Sequence, residues 1–228
     1  MAWQLATRRA AALEGDGPRL VDATYGLPTG YVGGADRIGL TFPGCVAPRQ
    51  DDKLMTELIH LICGSTGAGK TTYARQLTER IRGVRFSIDD WMMRLFWMDS
   101  PRPIRPDWSL ERVERCQALI WTTASCTAKR GVPAVLDLGL AQAASRKTFV
   151  GLAQEAGLSV RLHFLDVPLH ERWRRVRSRN VDNDNPDRLP FEITREMFDF
   201  VETLWEPPTD AELSGSVPVT IGPADHSP

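Results

Sequence analysis

A glycine-rich stretch at residues 64–72 carries the strongest chemical signal in this 228-residue chain. It fits the pattern G-x-x-x-x-G-K-[ST] at every fixed position, and a predicted strand precedes it while a predicted helix follows it, which disfavours a chance glycine-rich turn. Glycines let backbone N–H groups turn inward around a phosphate chain, and the following helix directs its positive dipole end at the same anion. We therefore expect a nucleoside triphosphate, with its phosphates on Lys70 and Mg²⁺ on the Thr71 hydroxyl. The predicted phosphate loop consists of Gly64, Ser65, Thr66, Gly67, Ala68, Gly69, Lys70, Thr71 and Thr72.

Other motifs limit what can happen to the nucleotide. Guanine-nucleotide switches need N-K-x-D and D-x-x-G motifs, and neither occurs, because Gly139 follows Asp137 one place too early. Motors and ring ATPases need more chain than the one domain's length that follows residue 55. A small kinase fits the length and the motifs.

Acidic residues follow two predicted strands, at the sheet edge where doubly wound folds bind ligands. Asp89 and Asp90 come after the second strand, and we expect Asp89 to accept the proton of a substrate hydroxyl. The alternative is that one of them caps the helix that begins near Trp91, which we favour for Asp90. Asp137 ends the third strand and could ligate Mg²⁺ directly or through water. Its alternative role is that of a buried acid that accepts backbone hydrogen bonds.

Arginines crowd the fifth predicted helix. At 100° per residue Arg172, Arg175 and Arg179 share one face, so they can converge on phosphates. A polar stretch begins at Asn180, as a hinge would require, and we expect a lid over ATP at about 169–190. The alternatives are a solvated basic face and a nucleic-acid-binding patch, and the aspartates that follow argue against a broad patch.

Composition excludes several classes of protein. The chain has 28 basic and 29 acidic residues and a net charge of −1, which does not support bulk attraction to nucleic acid or membranes. Its four cysteines contain no C-x-x-C pair, which favours a reducing, cytoplasmic compartment over disulfides or a zinc site. No stretch has the roughly 18 apolar residues of a membrane span, and we expect no export signal. The four histidines lack partners at metal-ligand spacing, so we expect structural or exposed roles for them.

From Leu58 onward, apolar runs alternate with helical stretches, which is typical of a parallel sheet covered on both faces. We predict strands at 58–63, 84–88, 134–138, 160–165 and 217–221, and helices at 69–82, 90–98, 109–130, 142–156, 169–179 and 192–205. Glycines and prolines interrupt every apolar run in residues 14–53. We therefore predict a poorly ordered extension over 1–54 and one functional domain over 55–228.

Together these residues resemble the small P-loop kinases of AAA type, a family that includes the polynucleotide 5′-hydroxyl kinase domain, chloramphenicol phosphotransferase and the zeta toxins. The resemblance covers about residues 58–180 and takes in Glu171 besides the motifs above. It implies a P-loop NTPase-type three-layer α/β sandwich with a five-stranded parallel sheet and a small helical lid. It also implies that Asp89 is the catalytic base and that Arg175 and Arg179 are lid arginines that bind the ATP phosphates.

Some positions depart from the polynucleotide-kinase pattern or have no role in it. That pattern has a phosphate-contacting arginine three residues after the base, where this chain has Met92, with Arg94 two places further on. A 5′-hydroxyl nucleic-acid acceptor is therefore disfavoured. Residues 205–208, Trp-Glu-Pro-Pro, resemble a stretch after the last helix of related predicted kinases. Four aromatic residues could form an apolar wall for the acceptor, or pack in the core: Trp91, Phe96, Trp97 and Trp108.

The sequence thus predicts an ATP- and Mg²⁺-dependent phosphotransferase that acts on a hydroxyl of a small molecule, such as an antibiotic or a nucleotide-like compound. Lys70 would bind phosphate, and Thr71 with Asp137 would hold the metal. The alternatives are a polynucleotide 5′-hydroxyl kinase, a zeta-toxin-like nucleotide-sugar kinase, and a regulatory module that binds nucleotide and hydrolyses it slowly.

Overall fold

The computed structural model describes residues 58–182, 191–214 and 217–219. Strands and helices alternate along most of this part of the chain, as the hydrophobic pattern predicts. The strands are β1 (Leu58–Cys63), β2 (Val84–Ser87), β3 (Ala134–Asp137), β4 (Ser159–Leu165) and β5 (Val217–Val219). The helices are α1 (Lys70–Ile81), α2 (Ile88–Phe96), α3 (Pro106–Ala128), α4 (Ala143–Glu155), α5 (Leu169–Val181), α6 (Arg195–Glu202) and α7 (Asp210–Leu213).

The five strands form one sheet in the order β2-β3-β1-β4-β5. Every pair of neighbouring strands is parallel. Because β1 lies at the centre, with β3 on one side and β4 on the other, the chain that leaves β1 emerges at the middle of the carboxyl edge. Doubly wound sheets bind their ligands at this position. The predicted α/β fold with a five-stranded parallel sheet is confirmed.

Apolar side chains cover both faces of the sheet and create three layers. Ile59 of β1 belongs to a cluster that includes Ile120 of α3 and Phe149 of α4. On the opposite face, Ile62 packs in a second cluster with Leu77 of α1. Neighbouring residues of a strand point to opposite faces, so the continuous apolar run of β1 supplies both clusters.

Local chemistry moves some helix ends from their predicted places. α3 begins at Pro106, three residues earlier than predicted, since proline is well tolerated in a first helical turn. α6 begins after Thr194, whose side chain caps it, and is therefore shorter than the predicted helix 192–205. The short α7 was not predicted; Thr209 and Glu212 form a reciprocal capping box that stabilises its single turn.

The Trp-Glu-Pro-Pro stretch at 205–208 docks α7 against α4. The Glu206 carboxylate accepts a hydrogen bond from the backbone N–H of Ala143, the first residue of α4, at 2.7 Å. Arg146 is 1% exposed and donates through Nη1 to the Glu206 carbonyl oxygen at 2.9 Å. Its Nε and Nη2 atoms donate to the two carboxylate oxygens of Glu212 at 2.6 and 3.2 Å. The stretch therefore has a structural role.

Some predicted segments lie in parts of the chain that the structure does not describe. The extension predicted over 1–54 lies outside the described residues, as do 183–190 of the predicted lid and the end of the last predicted strand. Within the described ranges, no helix combines the length and apolar character needed to cross a bilayer.

Two histidines form a buried polar contact between β1 and β4. His60 Nδ1 lies 2.8 Å from His163 Nε2, and the Tyr73 hydroxyl lies 2.8 Å from His163 Nδ1. Burial lowers the pKa of His60 to about 4 and that of His163 to about 3, and the nearby Arg161 adds to both shifts. The two rings are therefore neutral near pH 7 and act as structural groups.

Acidification should destabilise the fold through this pair. In the unfolded chain each ring binds a proton near its ordinary pKa of 6.5, whereas the folded protein resists protonation until about pH 4. The unfolded state therefore binds more protons in this window, and the free energy of unfolding should fall as the pH is lowered from about 6.5 to about 4. Urea unfolding at several pH values measures this decline. His60→Leu removes one titrating ring and should make the decline shallower; an unchanged decline would exclude the pair as its cause.

Candidate active site

Two glycines of the phosphate loop adopt left-handed backbone conformations. Gly67 and Gly69 have φ angles of +80° and +86°, in the left-handed region that glycine adopts without strain. The first turn of α1, which begins at Lys70, contains no acidic residue. The helix therefore leaves the positive end of its own dipole uncompensated at the loop, where it can attract phosphate.

Lys70 is buried at the centre of the candidate site. Its Nζ atom donates to the Ser65 carbonyl oxygen at 2.8 Å, so the lysine folds back over the loop. Burial lowers the pKa of Lys70, whereas the carboxylates of Asp137 and Asp89 act in the opposite direction, and Arg179 adds to the lowering. These three charged residues, predicted separately from the sequence, therefore lie within electrostatic range of Lys70.

Asp89 is the second residue of α2, not a strand-end residue ahead of the helix. The helix begins at Ile88, and its N-cap is Ser87, whose hydroxyl accepts from the backbone N–H of Asp90 at 3.2 Å. The capping role expected for Asp90 is therefore wrong. The Asp90 carboxylate instead pairs with Arg85 at 3.0 Å. Burial raises the pKa of Asp89, while the positive charges of Lys70 and Arg179 lower it.

Asp137 lies at the end of β3, in register with Ser87 of β2. Its side chain is 7% exposed, and Arg85 Nε lies 3.5 Å from its Oδ2. Burial raises the pKa of Asp137 and the charge of Asp89 adds to this, while Arg85 and Lys70 oppose it. Arg85 of β2 thus bridges Asp137, at the end of β3, and Asp90, in the first turn of α2.

Three arginines of α5 point towards the phosphate loop, as the helical periodicity predicts. Arg175 Nη1 lies 3.5 Å from the carbonyl oxygen of Ala68, and its Nε donates to Glu171 at 2.9 Å. Arg179 influences the pKa values of both Lys70 and Asp89. Arg172 is buried and makes a bidentate ion pair with Glu202, with both N–O distances 2.6 Å. Arg172 is therefore an anchor inside the protein.

Sequence reasoning missed Glu202 as a member of this site. The residue lies at the end of α6, and its carboxylate also accepts a hydrogen bond from the Ser65 hydroxyl. The helical spacing could have identified it: Glu202 follows the buried Phe198 by four residues, so both lie on the same, apolar face of α6. A charged residue on an apolar face implies a buried partner.

The predicted apolar wall after Asp89 is a packed aromatic cluster. Phe96 and Trp108 meet edge to face with ring centroids 6.4 Å apart. The Arg112 guanidinium lies 4.0 Å from the centroid of Trp108. Trp91 and Trp97 are partly buried against the main core. These contacts favour the core-packing alternative for the cluster as a whole.

A nucleotide with Mg²⁺ fits the donor set of the site. The Thr71 hydroxyl and the Asp137 carboxylate are the hard oxygen ligands that Mg²⁺ prefers. Nowhere in the described ranges do three or more His, Cys, Asp or Glu side chains gather to hold a metal by themselves. A metal here would therefore take further ligands from phosphate and water, which is usual for Mg²⁺ in phosphoryl-transfer sites.

Comparisons with known proteins bear on the family and the fold of the chain. A family model described as an AAA domain matches residues 59–204. No curated protein has a significantly similar sequence. A gluconokinase from Sinorhizobium meliloti 1021 has a similar structure, with a TM-score of 0.50 and 13% sequence identity over 74% of this chain and 85% of that chain.

Two further structures have TM-scores below 0.5. A chain of the Pnkp1/Rnl/Hen1 RNA repair complex gives a TM-score of 0.48 at 18% identity, over 68% of this chain and 48% of that one, so this chain spans about half its length. The APS kinase CysC of Mycobacterium tuberculosis, solved with AMPPNP and APS, gives 0.41 at 17% identity over 53% of this chain and 68% of that chain. The family model covers more than half of the sequence, and on that ground the chain belongs to the AAA-domain family and has the fold of the small P-loop kinases.

Proposed function

We propose that this protein is an ATP- and Mg²⁺-dependent kinase that transfers the γ-phosphoryl group to a hydroxyl of a small-molecule acceptor. The observation that carries the proposal is the gathering of one cation and two carboxylates, Lys70, Asp89 and Asp137, beside the phosphate loop, with Arg179 close enough to affect both Lys70 and Asp89. Phosphoryl transfer depends on this kind of positioning and charge compensation more than on covalent chemistry by the protein.

Lys70 would change its hydrogen-bond acceptor when nucleotide binds. Its Nζ donates to the neutral carbonyl oxygen of Ser65, and hydrogen bonds between two charged groups are stronger than those to neutral acceptors. The ammonium group can therefore leave Ser65 for the β- and γ-phosphate oxygens. Thr71 and Asp137 would hold Mg²⁺, which supplies further compensation for phosphate charge when it is bound.

Asp89 would accept the proton of the acceptor hydroxyl. As the hydroxyl oxygen forms its bond to the γ-phosphorus, the bond to the β-phosphate oxygen breaks, ADP leaves, and the proton passes to the carboxylate. Asp90 is the weaker candidate for this role, because Arg85 holds its carboxylate at 3.0 Å. The charges of Lys70 and Arg179 favour the deprotonated form of Asp89, which a base requires.

Arg175 and Arg179 would stabilise the transferring phosphoryl group from the side of α5. Arg175 Nη1 lies 3.5 Å from the carbonyl oxygen of Ala68, so its guanidinium is next to the loop that would hold the phosphates. Its partner Glu171 has a pKa lowered to about 2 by hydrogen bonds from Arg174 and Arg175, so it remains a carboxylate and keeps Arg175 oriented.

A small acceptor is favoured over a nucleic-acid end. Met92 stands where the polynucleotide-kinase pattern has its phosphate-contacting arginine, and it is fully buried in the core. This position therefore presents no group to an acceptor phosphate. A cytoplasmic location is part of the proposal, on the ground that the four cysteines of the sequence contain no C-x-x-C pair.

Gly67→Ala should weaken ATP binding by about tenfold or more, equivalent to about 1.4 kcal/mol. A Cβ atom at this position would lie 2.5 Å from the carbonyl oxygen of Arg172, so the loop must shift. Gly131→Ala is the matched control, because Gly131 has a similar φ of +78° but an added Cβ would have nothing within 4 Å. Calorimetric titration with Mg·ATP measures both variants. Equal losses of affinity would contradict the assigned role of the loop.

Asp89→Asn should leave ATP binding nearly intact and reduce phosphoryl transfer about 10²-fold or more, since the amide cannot accept the proton. The assay is ADP formation with an acceptor chosen by screening nucleosides, sugars, antibiotics and 5′-hydroxyl oligonucleotides. Asp90→Asn removes the neighbouring charge and should retain activity within a few-fold. Full activity of the Asp89 variant together with loss in the Asp90 variant would assign the base to Asp90.

A further inference from the structure

Glu202 is a charged residue at the phosphate loop that the proposed chemistry does not use. Its carboxylate oxygens accept from Arg172 Nη1 and Nη2, each at 2.6 Å, and one of them also accepts from the Ser65 hydroxyl. The side chain of Arg172 is 8% exposed and that of Glu202 is 17% exposed. Because the pair is bidentate and mostly buried, it fixes the orientation of both side chains as well as the distance between them.

The guanidinium of Arg172, held by Glu202, also donates hydrogen bonds to two backbone carbonyl oxygens. Its Nε donates to the Val167 carbonyl oxygen at 2.9 Å, and its Nη1 donates to the Thr66 carbonyl oxygen at 3.3 Å. The Phe198 ring lies below the guanidinium, 5.6 Å from Cζ to the ring centroid. One ion pair thus joins the phosphate loop, the chain that leads into α5, and α6.

The helices α5 and α6 are also joined to each other. Val176 of α5 packs with Phe198 and Val201 of α6 in a small apolar cluster that is separate from the two sheet clusters. The Asn180 side chain donates to the Ile193 carbonyl oxygen at 2.9 Å and accepts from the Ile193 N–H at 3.3 Å. Because α5 and α6 are joined, Glu202, which anchors α6 to the loop, also anchors α5, the helix that carries Arg175 and Arg179.

We propose that Glu202 is a positioning residue for the phosphate loop and for α5. To bind phosphate, the loop must turn its N–H groups inward, so the carbonyl oxygens of its peptide groups need donors elsewhere. Glu202 orients Arg172, which holds the Thr66 carbonyl, and it also binds the Ser65 side chain directly. Without it these peptide groups are free to rotate and can present oxygen atoms to the phosphates.

Glu202→Gln tests the proposal, because it removes the charge of the carboxylate with almost no change of shape. We expect the dissociation constants of Mg·ADP and Mg·ATP to rise about tenfold, because part of the binding free energy must then be used to order the loop. For the same reason the KM for ATP should rise more than kcat falls. Glu212→Gln is the matched control. It removes one charge from another Arg–Glu pair with a buried arginine, formed with Arg146. The further hydrogen bonds of Arg146 go to the carbonyl oxygens of Leu140, Ala141 and Glu206, which are not loop residues. This variant should lower the melting temperature while leaving nucleotide affinity within about twofold.

Equal nucleotide affinity in the wild type and in a folded Glu202→Gln variant would overturn the proposal and leave Glu202 a purely structural residue. If that variant does not fold, Ser65→Ala removes only the hydrogen bond to Glu202 and keeps the ion pair; unchanged affinity there would equally overturn it.

The proposal rests on the proposed function for its nucleotide, but the binding part of its test, the dissociation constants of Mg·ADP and Mg·ATP, needs no acceptor. A wild-type protein that binds Mg·ADP and transfers no phosphate would contradict the kinase function alone. One that transfers phosphate while Glu202→Gln binds normally would contradict only the positioning role, and one that binds no nucleotide would contradict both.

Discussion

A phosphate loop binds anions only while its backbone N–H groups point inward, and the carbonyl oxygens of the same peptide groups then need hydrogen-bond donors from elsewhere. Neighbouring residues supply these donors. Lys70 and the N–H of Ala68 bind the Ser65 oxygen. Arg172 binds the Thr66 oxygen, and Arg175 lies against that of Ala68. The donors come from the loop itself, from α1 and from α5, so the loop conformation depends on two helices being placed correctly.

The strand order accounts for that placement. Because β4 lies beside β1, the helix that follows β4 begins next to the loop that follows β1. On the other side β3 brings Asp137 to the same edge, and β2, one strand further out, brings Asp89 at the start of α2. Asp89 and Asp137 thus approach the loop from one side, and Arg172, Arg175 and Arg179 approach it from the other. An acceptor hydroxyl must lie between the loop and Asp89 for the proposed transfer, which puts it on the β3 side.

The sheet, the phosphate-loop motif and the shared helix face of Arg172, Arg175 and Arg179 could be predicted from the sequence, because each produces a periodic or local sequence pattern. The apolar run of β1, the spacing of Gly64, Gly69 and Lys70, and the 100° step per residue of α5 all depend only on nearby residues. The N-cap was misjudged because Ser87 and Asp90 are both good capping residues, and only the coordinates show that Arg85 holds Asp90 while Ser87 caps. Glu202 was missed because its partners, Ser65 and Arg172, are distant in sequence, so no local pattern identifies them.

A kinase of the proposed kind needs the γ-phosphate, the Lys70 ammonium and the Asp89 carboxylate to lie together. A crystal structure of the full chain with a non-hydrolysable ATP analogue and Mg²⁺ tests it most directly. The account predicts that Lys70 Nζ has left the Ser65 oxygen and lies within hydrogen-bonding distance of a γ-phosphate oxygen, with the Asp89 carboxylate facing the same phosphorus. A γ-phosphate bound away from Asp89, with its carboxylate turned from the loop, would contradict the account and leave a nucleotide-binding protein without a base for transfer.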